Sequence, residues 1–447
     1  MHEDTIVAVA TAPGAGGIGI VRLSGPAAAH VGLAITGEHL SPRHAHFCSF
    51  HDSQQQILDS GIALFFPGPN SFTGEDVLEL QAHGGPVILD LLLRECVRLG
   101  ARQAEPGEFS QRAYLNDKID LTQAEAIADL INSKTERAAL NATRSLQGDF
   151  SKEIQTLVEK VTGLRILVEA AIDFPEEEID FIKNEQVDSK LLSIIDSFES
   201  VETRARQGSV IQEGMKLVIA GKPNAGKSSL LNVLCGQDTA IVTPVEGTTR
   251  DVLKELIHLD GMPLHIVDTA GLRDSGDEVE REGIRRAWNE IESADHVLLV
   301  VDATASSRDD DQRLPGVGRD IPVTVVMNKC DLTEQPGGID GTPEAVTIHL
   351  SAKTGEGVEL LRQHLKDCGG LSDSGDGHYS ARRRHLLNLE EAKQHLINGQ
   401  TQLRDMGAGE LLAEDLRMCQ TILGYITGAV SNDHLLGEIF SSFCIGK

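Results

Sequence analysis

The chain of 447 residues is short of positive charge. Its 40 Lys and Arg stand against 68 Asp and Glu, a formal net charge of −28. Nucleic-acid backbones are held by local densities of Lys and Arg, so this balance excludes strong nucleic-acid binding by the bulk surface. Any RNA role needs a local basic patch or a partner. Paired cysteines are lacking too. Cys48, Cys96, Cys235, Cys330, Cys368, Cys419 and Cys444 are scattered and odd in number, which argues against a disulfide framework and for a reducing compartment. No apolar run reaches membrane-spanning length. The acidic opening Met1-His2-Glu3-Asp4 follows neither a signal-peptide nor an Arg-rich transit pattern. The expectation is a soluble cytoplasmic protein of two or three domains, long enough for real cores.

What is present is dominated by one stretch. Gly221-Lys222-Pro223-Asn224-Ala225-Gly226-Lys227-Ser228 matches G-x-x-x-x-G-K-[ST], the phosphate-binding loop. Apolar Leu217-Val218-Ile219-Ala220 leads in as a buried strand, and Ser229 to Leu234 leads out at helical spacing. The glycines let successive backbone N–H groups turn toward a polyphosphate, and the helix N-terminus adds partial positive charge. Lys227 is placed to reach the β- and γ-phosphates, and the Ser228 hydroxyl to ligate Mg²⁺.

From Gly214 to about Cys368, strands alternate with helices, as in a doubly wound parallel sheet. Leu264 to Val267 ends in Asp268-Thr269-Ala270-Gly271, where Asp268 can hold Mg²⁺ through water and the Gly271 amide can sense a γ-phosphate. Val323 to Met327 ends in Asn328-Lys329-Cys330-Asp331, the pattern N-K-x-D. The Asp331 carboxylate can accept both N–H donors of guanine, whereas adenine would leave a buried acid unpaired. Asn328 suits the purine N7 side, the Lys329 stem can cover the ring, and Ser351-Ala352-Lys353 completes the base pocket with a backbone amide. Four ordered motifs point to GTP. Between the first two lies Glu246-Gly247-Thr248-Thr249-Arg250-Asp251, the expected switch, with Thr249 favoured as the hydroxyl that closes on Mg²⁺. The residue after Gly271 is Leu272, which cannot orient an attacking water. Hydrolysis must recruit Arg250 or Arg273, an acid of Asp277-Glu278-Val279-Glu280, or a bound cation. The polar stretch Ala303 to Asp320 carries no functional reading.

Residues 5 to 118 read as mixed α and β. Strands are expected at Thr5–Ala10 and Ile18–Leu23. Between them Gly14-Ala15-Gly16-Gly17-Ile18-Gly19 satisfies G-x-G-x-x-G, but the residues after it alternate like a strand and open no helix. A Gly-rich hairpin connection is expected instead of a dinucleotide site. His44, His46 and Cys48 fall on one face of a strand, yet the spacing matches no usual zinc pattern. After the turn-rich loop Pro67 to Asp76, Glu79 sits on the short strand Val77 to Leu80, near Gly84-Gly85. It is either a solvated acid or a ligand carboxylate. Pro86 to Gly100 reads as a helix.

From Leu121 the texture is helical. Thr122-x-x-Glu125 reads as a capping box, with Leu121, Ala124, Ala128 and Ile131 on one face. The pattern continues through Leu140, Leu146, Ile154, Leu157, Val161, Leu164 and Val168, breaks at Asp173-Phe174-Pro175, and resumes from about Asp188 to Gln207. Leu389, Leu396 and Leu403 recur beyond the phosphate-loop segment, and Leu411 to Ile426 is amphipathic. The fold class expected is multidomain α+β and α/β. It comprises an N-terminal α+β domain (1–118), a helical domain split in sequence (119–213 and 371–447) and an inserted doubly wound P-loop domain (214–370). Gly369 to Gly377 serves as the exit linker. The long apolar stripes pack within the chain or form a dimer face.

The motifs at 221–228, Gly247 to Asp251 and Asp268 to Arg273 resemble those of the Era-related, potassium-dependent P-loop GTPases. Glu75-Asp76-Val77-Leu78-Glu79-Leu80, Pro106-Gly107-Glu108-Phe109-Ser110, Asn116-Asp117-Lys118 and Phe443-Cys444-Ile445-Gly446-Lys447 narrow the resemblance to the tRNA modification GTPases, across essentially the whole chain. The resemblance implies a GTP site of Asn224, Ala225, Gly226, Lys227, Ser228, Ser229, Thr243, Pro244, Val245, Glu246, Gly247, Thr248, Thr249, Asp268, Thr269, Ala270, Gly271, Asn328, Lys329, Asp331, Ser351, Ala352 and Lys353. Mg²⁺ would be held by Ser228 and Thr249. K⁺ would be held by Asn224 and around Thr243, Val245 and Thr248, in place of an arginine finger when two GTPase domains meet. Glu280 would help orient water, so that Glu280, Asn224, Thr249 and Lys227 carry hydrolysis.

The N-terminal domain would be a dimerising, tetrahydrofolate-binding one. Arg22, Glu79, Lys118 and Lys447 would contact a 5-formyl or methylene folate whose one-carbon unit goes to C5 of the wobble uridine of certain tRNAs. The partner implied is MnmG, an FAD- and NADH-using flavoprotein joined in a heterotetramer that yields carboxymethylaminomethyl- or aminomethyl-uridine. Cys444 is a reactive thiol or a bystander. The competing expectation is a GTP-gated regulatory or ribosome-assembly switch without folate chemistry; the folate-type residues and Cys444-Ile445-Gly446-Lys447 favour the enzyme.

Overall fold

Among the described residues two sheets organise the chain, each within its own unit. The computed structural model describes residues 4–173, 185–222, 224–236, 254–259, 262–268, 294–305, 321–333, 335–342, 345–369, 379–430 and 433–446. One unit comprises Met1–Asn132, Thr143–Ile195 and Asn388–Lys447; the other comprises Ser133–Ala142 and Asp196–Leu387.

The first unit holds a six-stranded sheet of β1 (Thr5–Val9), β2 (Gly16–Ser24), β3 (His46–His51), β4 (Ile57–Phe66), β5 (Val77–Gly84) and β6 (Ala101–Gln103). The order is β3-β4-β5-β2-β1-β6, antiparallel except for the parallel pair β1 and β6. Side chains alternate across a strand, so Val7, Val21, Leu23, Leu78 and Leu80 face one way. They form a core with Val31 and Ile35 of the helix Ala28–Thr36 and with Leu89 and Leu92 of the helix Pro86–Arg98. On the opposite face Ile6 and Ala8 pack with Ala104 and Phe109. The Gly14 to Gly19 stretch enters β2, paired antiparallel with β1, so it is the hairpin connection expected.

The helices of this unit follow the apolar spacing. Ile154, Leu157, Val161, Leu164 and Val168 line one side of the helix Asp149–Asp173 and are buried. That helix packs along Gly409–Thr427, which buries Leu412, Leu416, Cys419, Leu423 and Ile426. Leu389, Leu396 and Leu403 of the helix Arg383–Met406 are buried as expected. Ile131 and Leu411 are exposed instead, and Leu412 takes the inward position at the start of its helix.

One expectation is corrected at the start of the helix Leu121–Asn132. The capping box is Asp120-x-x-Gln123, not Thr122-x-x-Glu125. Asp120 Oδ1 accepts the Gln123 N–H at 2.9 Å, and Gln123 Oε1 accepts the Asp120 N–H at 3.0 Å. This is the reciprocal pairing that satisfies two orphan donors. Thr122 and Glu125 are buried in the first turns of the helix.

The second unit holds β7 (Met215–Ala220), β8 (Lys254–Leu259), β9 (Met262–Asp268), β10 (His296–Asp302), β11 (Val323–Asn328), β12 (Gly338–Thr342) and β13 (Ala345–Leu350) in the order β12-β13-β11-β10-β7-β9-β8. The five inner strands are parallel, while β8 and β12 pair antiparallel at the edges. The sheet is therefore mixed at its margins. β12 is Gly-rich and mostly exposed, so no apolar pattern announces it; it is held by its ladder to β13. The helix Glu185–Glu213 continues beyond Gln207, through Gly208. A Cβ at Gly208 would meet the Tyr379 carbonyl oxygen at 1.9 Å, so close backbone approach explains a glycine inside a helix.

Candidate functional site

β7 pairs with β10 on one side and with β9 on the other. In an open parallel sheet the carboxyl ends diverge at such a point and leave a crevice. The phosphate loop begins there, between Ala220 and the helix Lys227–Gly236. Register sets Asp268, the last residue of β9, beside Ile219, at the same end of the sheet. The loop's conformation is imposed by its neighbours. A Cβ at Gly221 would meet the Val300 carbonyl at 2.2 Å, and one at Gly226 would meet Asn328 Nδ2 at 2.1 Å. Asn224 takes a left-handed φ of 65° and is exposed. Lys227 Nζ donates to the carbonyls of Gly221 at 2.8 Å and Lys222 at 3.2 Å, so its ammonium lies across the loop. Ser228 and Ser229 follow on the first turn of the helix, both exposed.

Asn328 ties three motifs together. Its side chain is buried; Nδ2 donates to Ala225 O at 2.8 Å, and Oδ1 accepts the Ala352 N–H at 3.0 Å. The phosphate loop, the N-K-x-D turn and Ser351-Ala352-Lys353 are thus one construction. This bracing role was not read from the sequence, where Asn328 suited only the purine. Lys329, at φ 70°, pairs with Asp302 at 2.5 Å. That bond, with those from Thr304, holds the Asp302 carboxyl down at about 2. Asp331 lies in the short helical turn Cys330–Leu332 with its side chain exposed, open to a base. Ser351 is buried and Lys353 exposed.

In the first unit, register sets Arg22 opposite Glu79 across β2 and β5, and Arg22 Nε donates to Glu79 Oε1 at 2.9 Å. The acid left open in the sequence is thus ion-paired and mostly buried. The guanidinium stands over the Phe109 ring, 5.9 Å from its centroid. Lys118 Nζ donates to Pro69 O at 2.9 Å, and the residue lines a cleft of about 870 Å³ with Tyr114, Asp120 and Lys152. The tail returns to the same sheet. Phe440 and Phe443 pack on Leu121 and Ala124, Ile445 bridges to Pro106, and a Cβ at Gly446 would meet Val9 O at 2.4 Å. Cys444 is exposed. His46 is engaged locally, accepting the Ser41 N–H and lying 3.6 Å from Glu38.

The sequence analysis missed a buried centre beside this face. Arg112 is 1% exposed and donates to Glu75 (3.1 Å), Glu108 (3.0 Å) and Asp4 (3.0 Å), while Arg102 binds Glu108 and Asp4 from outside. Ser24 adds a bond to Glu75 at 2.7 Å. Burial alone would raise the Glu108 carboxyl. Hydrogen bonds from Arg102, the Glu105 N–H and Arg112 outweigh it and hold the group below its ordinary value. The signal was present in Glu75 and in Pro106 to Ser110, but only folding joins them. Thr243, Pro244, Val245, Glu246, Gly247, Thr248, Thr249, Arg250, Thr269, Ala270, Gly271, Leu272, Arg273, Asp277, Glu278, Glu280 and Lys447 lie outside the described residues.

Comparison with known proteins bears on the whole chain. The family profile for the GTP-binding protein TrmE N-terminus matches residues 5–118, and that for the MnmE helical domain matches residues 121–444. The tRNA modification GTPase MnmE of Vibrio cholerae is 59% identical over 100% of both chains. That of Marinobacter nauticus is 58% identical over 99% of both. Among solved structures, Aquifex aeolicus Era bound to GDP and AlF4⁻ is 24% identical, covering 41% of this chain and 67% of that one, at a TM-score of 0.28. That last likeness is too slight to carry any argument. The two profiles and the full-length identities give one answer: the chain belongs to the family of the tRNA modification GTPase MnmE.

Proposed function

We propose that this chain hydrolyses GTP and couples that hydrolysis to modification of C5 of the wobble uridine in certain tRNAs. The observation that carries the reading is the Asn328 side chain, three residues before the exposed Asp331, which joins Ala225 of the phosphate loop to Ala352. Phosphate and base recognition then share one hydrogen-bonded brace, and a carboxylate selects guanine. The family supplies the tRNA chemistry.

The donor set suits two cations. Ser228, exposed on the first turn of its helix, offers a hydroxyl to Mg²⁺ together with Thr249. Asn224, exposed with its backbone turned left-handed, offers an amide oxygen to K⁺, with Thr243, Val245 and Thr248 completing the set. Bound there, the cations supply positive charge against the charge that grows on the phosphates. Lys227 holds the β- and γ-phosphates, and Glu280 orients the water that Leu272 cannot.

The Arg22 and Glu79 pair over Phe109 suits the pterin and acidic groups of a tetrahydrofolate, with Lys118 and Lys447 as further contacts. In this reading residues 1–118 bind folate and dimerise, 119–213 with 371–447 form the helical domain, and 214–370 the GTPase domain. The working assembly is a homodimer in the cytoplasm, joined to MnmG, which brings FAD and NADH. No described helix is long and apolar enough to cross a membrane. Mass spectrometry of wobble nucleosides from a deletion strain tests the tRNA role: loss of the C5 modification is expected, and unchanged nucleosides would overturn it. Hydrolysis by purified protein is expected to be faster in potassium than in sodium, and equal rates would remove the cation from the mechanism.

A further inference from the structure

The sequence analysis gave no role to the residues at the end of the sheet opposite the phosphate loop, where β10 and β11 begin. His296 is the first residue of β10, Thr324 the second of β11, and His364 and Cys368 lie one helical turn apart on the helix Val358–Cys368. Spacing of i and i+4 sets two side chains on one helix face. The strands then bring His296 to the same point. His296 Nε2 lies 2.8 Å from Thr324 Oγ1, which lies 2.7 Å from His364 Nε2; that nitrogen is 3.4 Å from Cys368 Sγ. The ligand atoms of His296, His364 and Cys368 all lie within 4.8 Å of one another.

We propose that His296, His364 and Cys368 bind a zinc ion, with water or the Thr324 hydroxyl in the fourth position. Two imidazoles and a thiolate are a zinc donor set, and bonds of about 2.0–2.3 Å at tetrahedral angles put neighbouring ligand atoms roughly 3.3–3.7 Å apart. The His364 and Cys368 atoms already stand at that spacing. The His296 ligand atom lies within 4.8 Å of both. Access is graded: His296 is buried, His364 half-buried and Cys368 exposed, so an ion enters from the helix side. Binding replaces the Cys368 thiol proton, which passes to solvent. The ion would clamp the helix Val358–Cys368 to β10 and β11, the strands that end in Asp302 and Asn328.

The test uses the full chain with excess magnesium to occupy oxygen sites, and Co²⁺ as the spectroscopic probe for zinc. One equivalent is expected to give a sulfur-to-cobalt charge-transfer band that Zn²⁺ abolishes, and Zn²⁺ is expected to raise Tm. Cys368→Ser should lose the band, and His364→Gln should weaken binding by about 100-fold or more, as ligand loss exceeds the usual effect of an outer-shell change. Both changes lie away from the nucleotide loops, so GTP binding should persist and report correct folding. Absence of saturable binding, or a band unchanged in Cys368→Ser, overturns the proposal.

Discussion

Asn328 donates its side-chain amide to the carbonyl of Ala225, a partner 103 residues earlier in the chain, at 2.8 Å. The bond is buried, and the same side chain accepts the Ala352 N–H. Loop geometry that looks local is therefore held from across the sheet.

Asn328→Ala should lower stability by about 1–3 kcal/mol, because the Ala225 carbonyl and the Ala352 N–H would be left buried and unpaired. Nucleotide affinity should fall with it, since the phosphate loop and the base pocket lose their common brace. Thermal unfolding and titration with a fluorescent GDP measure the two effects. A variant with wild-type Tm and affinity would show that the brace carries no energy.

Asp331→Asn should change the base preferred rather than the fold. The exposed side chain makes no structural demand, but an amide presents a donor toward the two N–H groups of guanine. GTP affinity should fall by at least about 100-fold while xanthosine triphosphate, whose C2 carbonyl can accept, gains. Competition binding with both nucleotides decides it.

Arg112→Met should cost about 3–5 kcal/mol, the loss typical of removing one partner from a buried ion network. Glu75 and Glu108 would keep charges with no buried counter-ion. The same network sets an acid limit. Glu108 and Asp4 lie below their ordinary values of 4.5 and 3.8, since the hydrogen bonds and charges of Arg102 and Arg112 outweigh burial. Depressed carboxyls stabilise the fold above their unfolded pKa and lose that contribution as pH falls through the folded one. Tm should therefore be flat near neutrality and fall below about pH 4.5, with a shallower acid loss in the Arg112→Met chain.

Arg22→Ala should weaken binding of 5-formyl-tetrahydrofolate by roughly 10–100-fold, the equivalent of a hydrogen bond to a charged group. Arg22→Lys keeps the charge near Glu79 but not the planar fork over Phe109, so it should recover only part. Isothermal titration measures both. Unchanged affinity in Arg22→Ala would remove this face from folate recognition.

Local motifs made the candidate nucleotide site legible from residues alone. Gly221 to Ser228, Asp268 and Asn328 to Asp331 each depend on spacing over a few positions, and strands β7, β9, β10 and β11 announce themselves as apolar runs. The hairpin reading of Gly14 to Gly19 rested on the same short-range alternation. Other features have no local signature. The antiparallel edges β8 and β12 are decided by which strand accepts their backbone bonds. The cap at Asp120 rather than Thr122 is decided by where the helix begins against its neighbours.

The sequence by itself determined the local patterns available: a phosphate-loop motif and the N-K-x-D acid expected to select guanine. Only the tertiary structure decided which groups support one another. It joined Asn328 to Ala225, brought Glu75 and Asp4 to the Arg112 and Glu108 helix pair, and brought His296 to the helix that carries His364 and Cys368. The physical reason is range. Periodicity and capping report contacts within a few residues, whereas these contacts close loops of tens to about a hundred residues and exist once the sheets have formed.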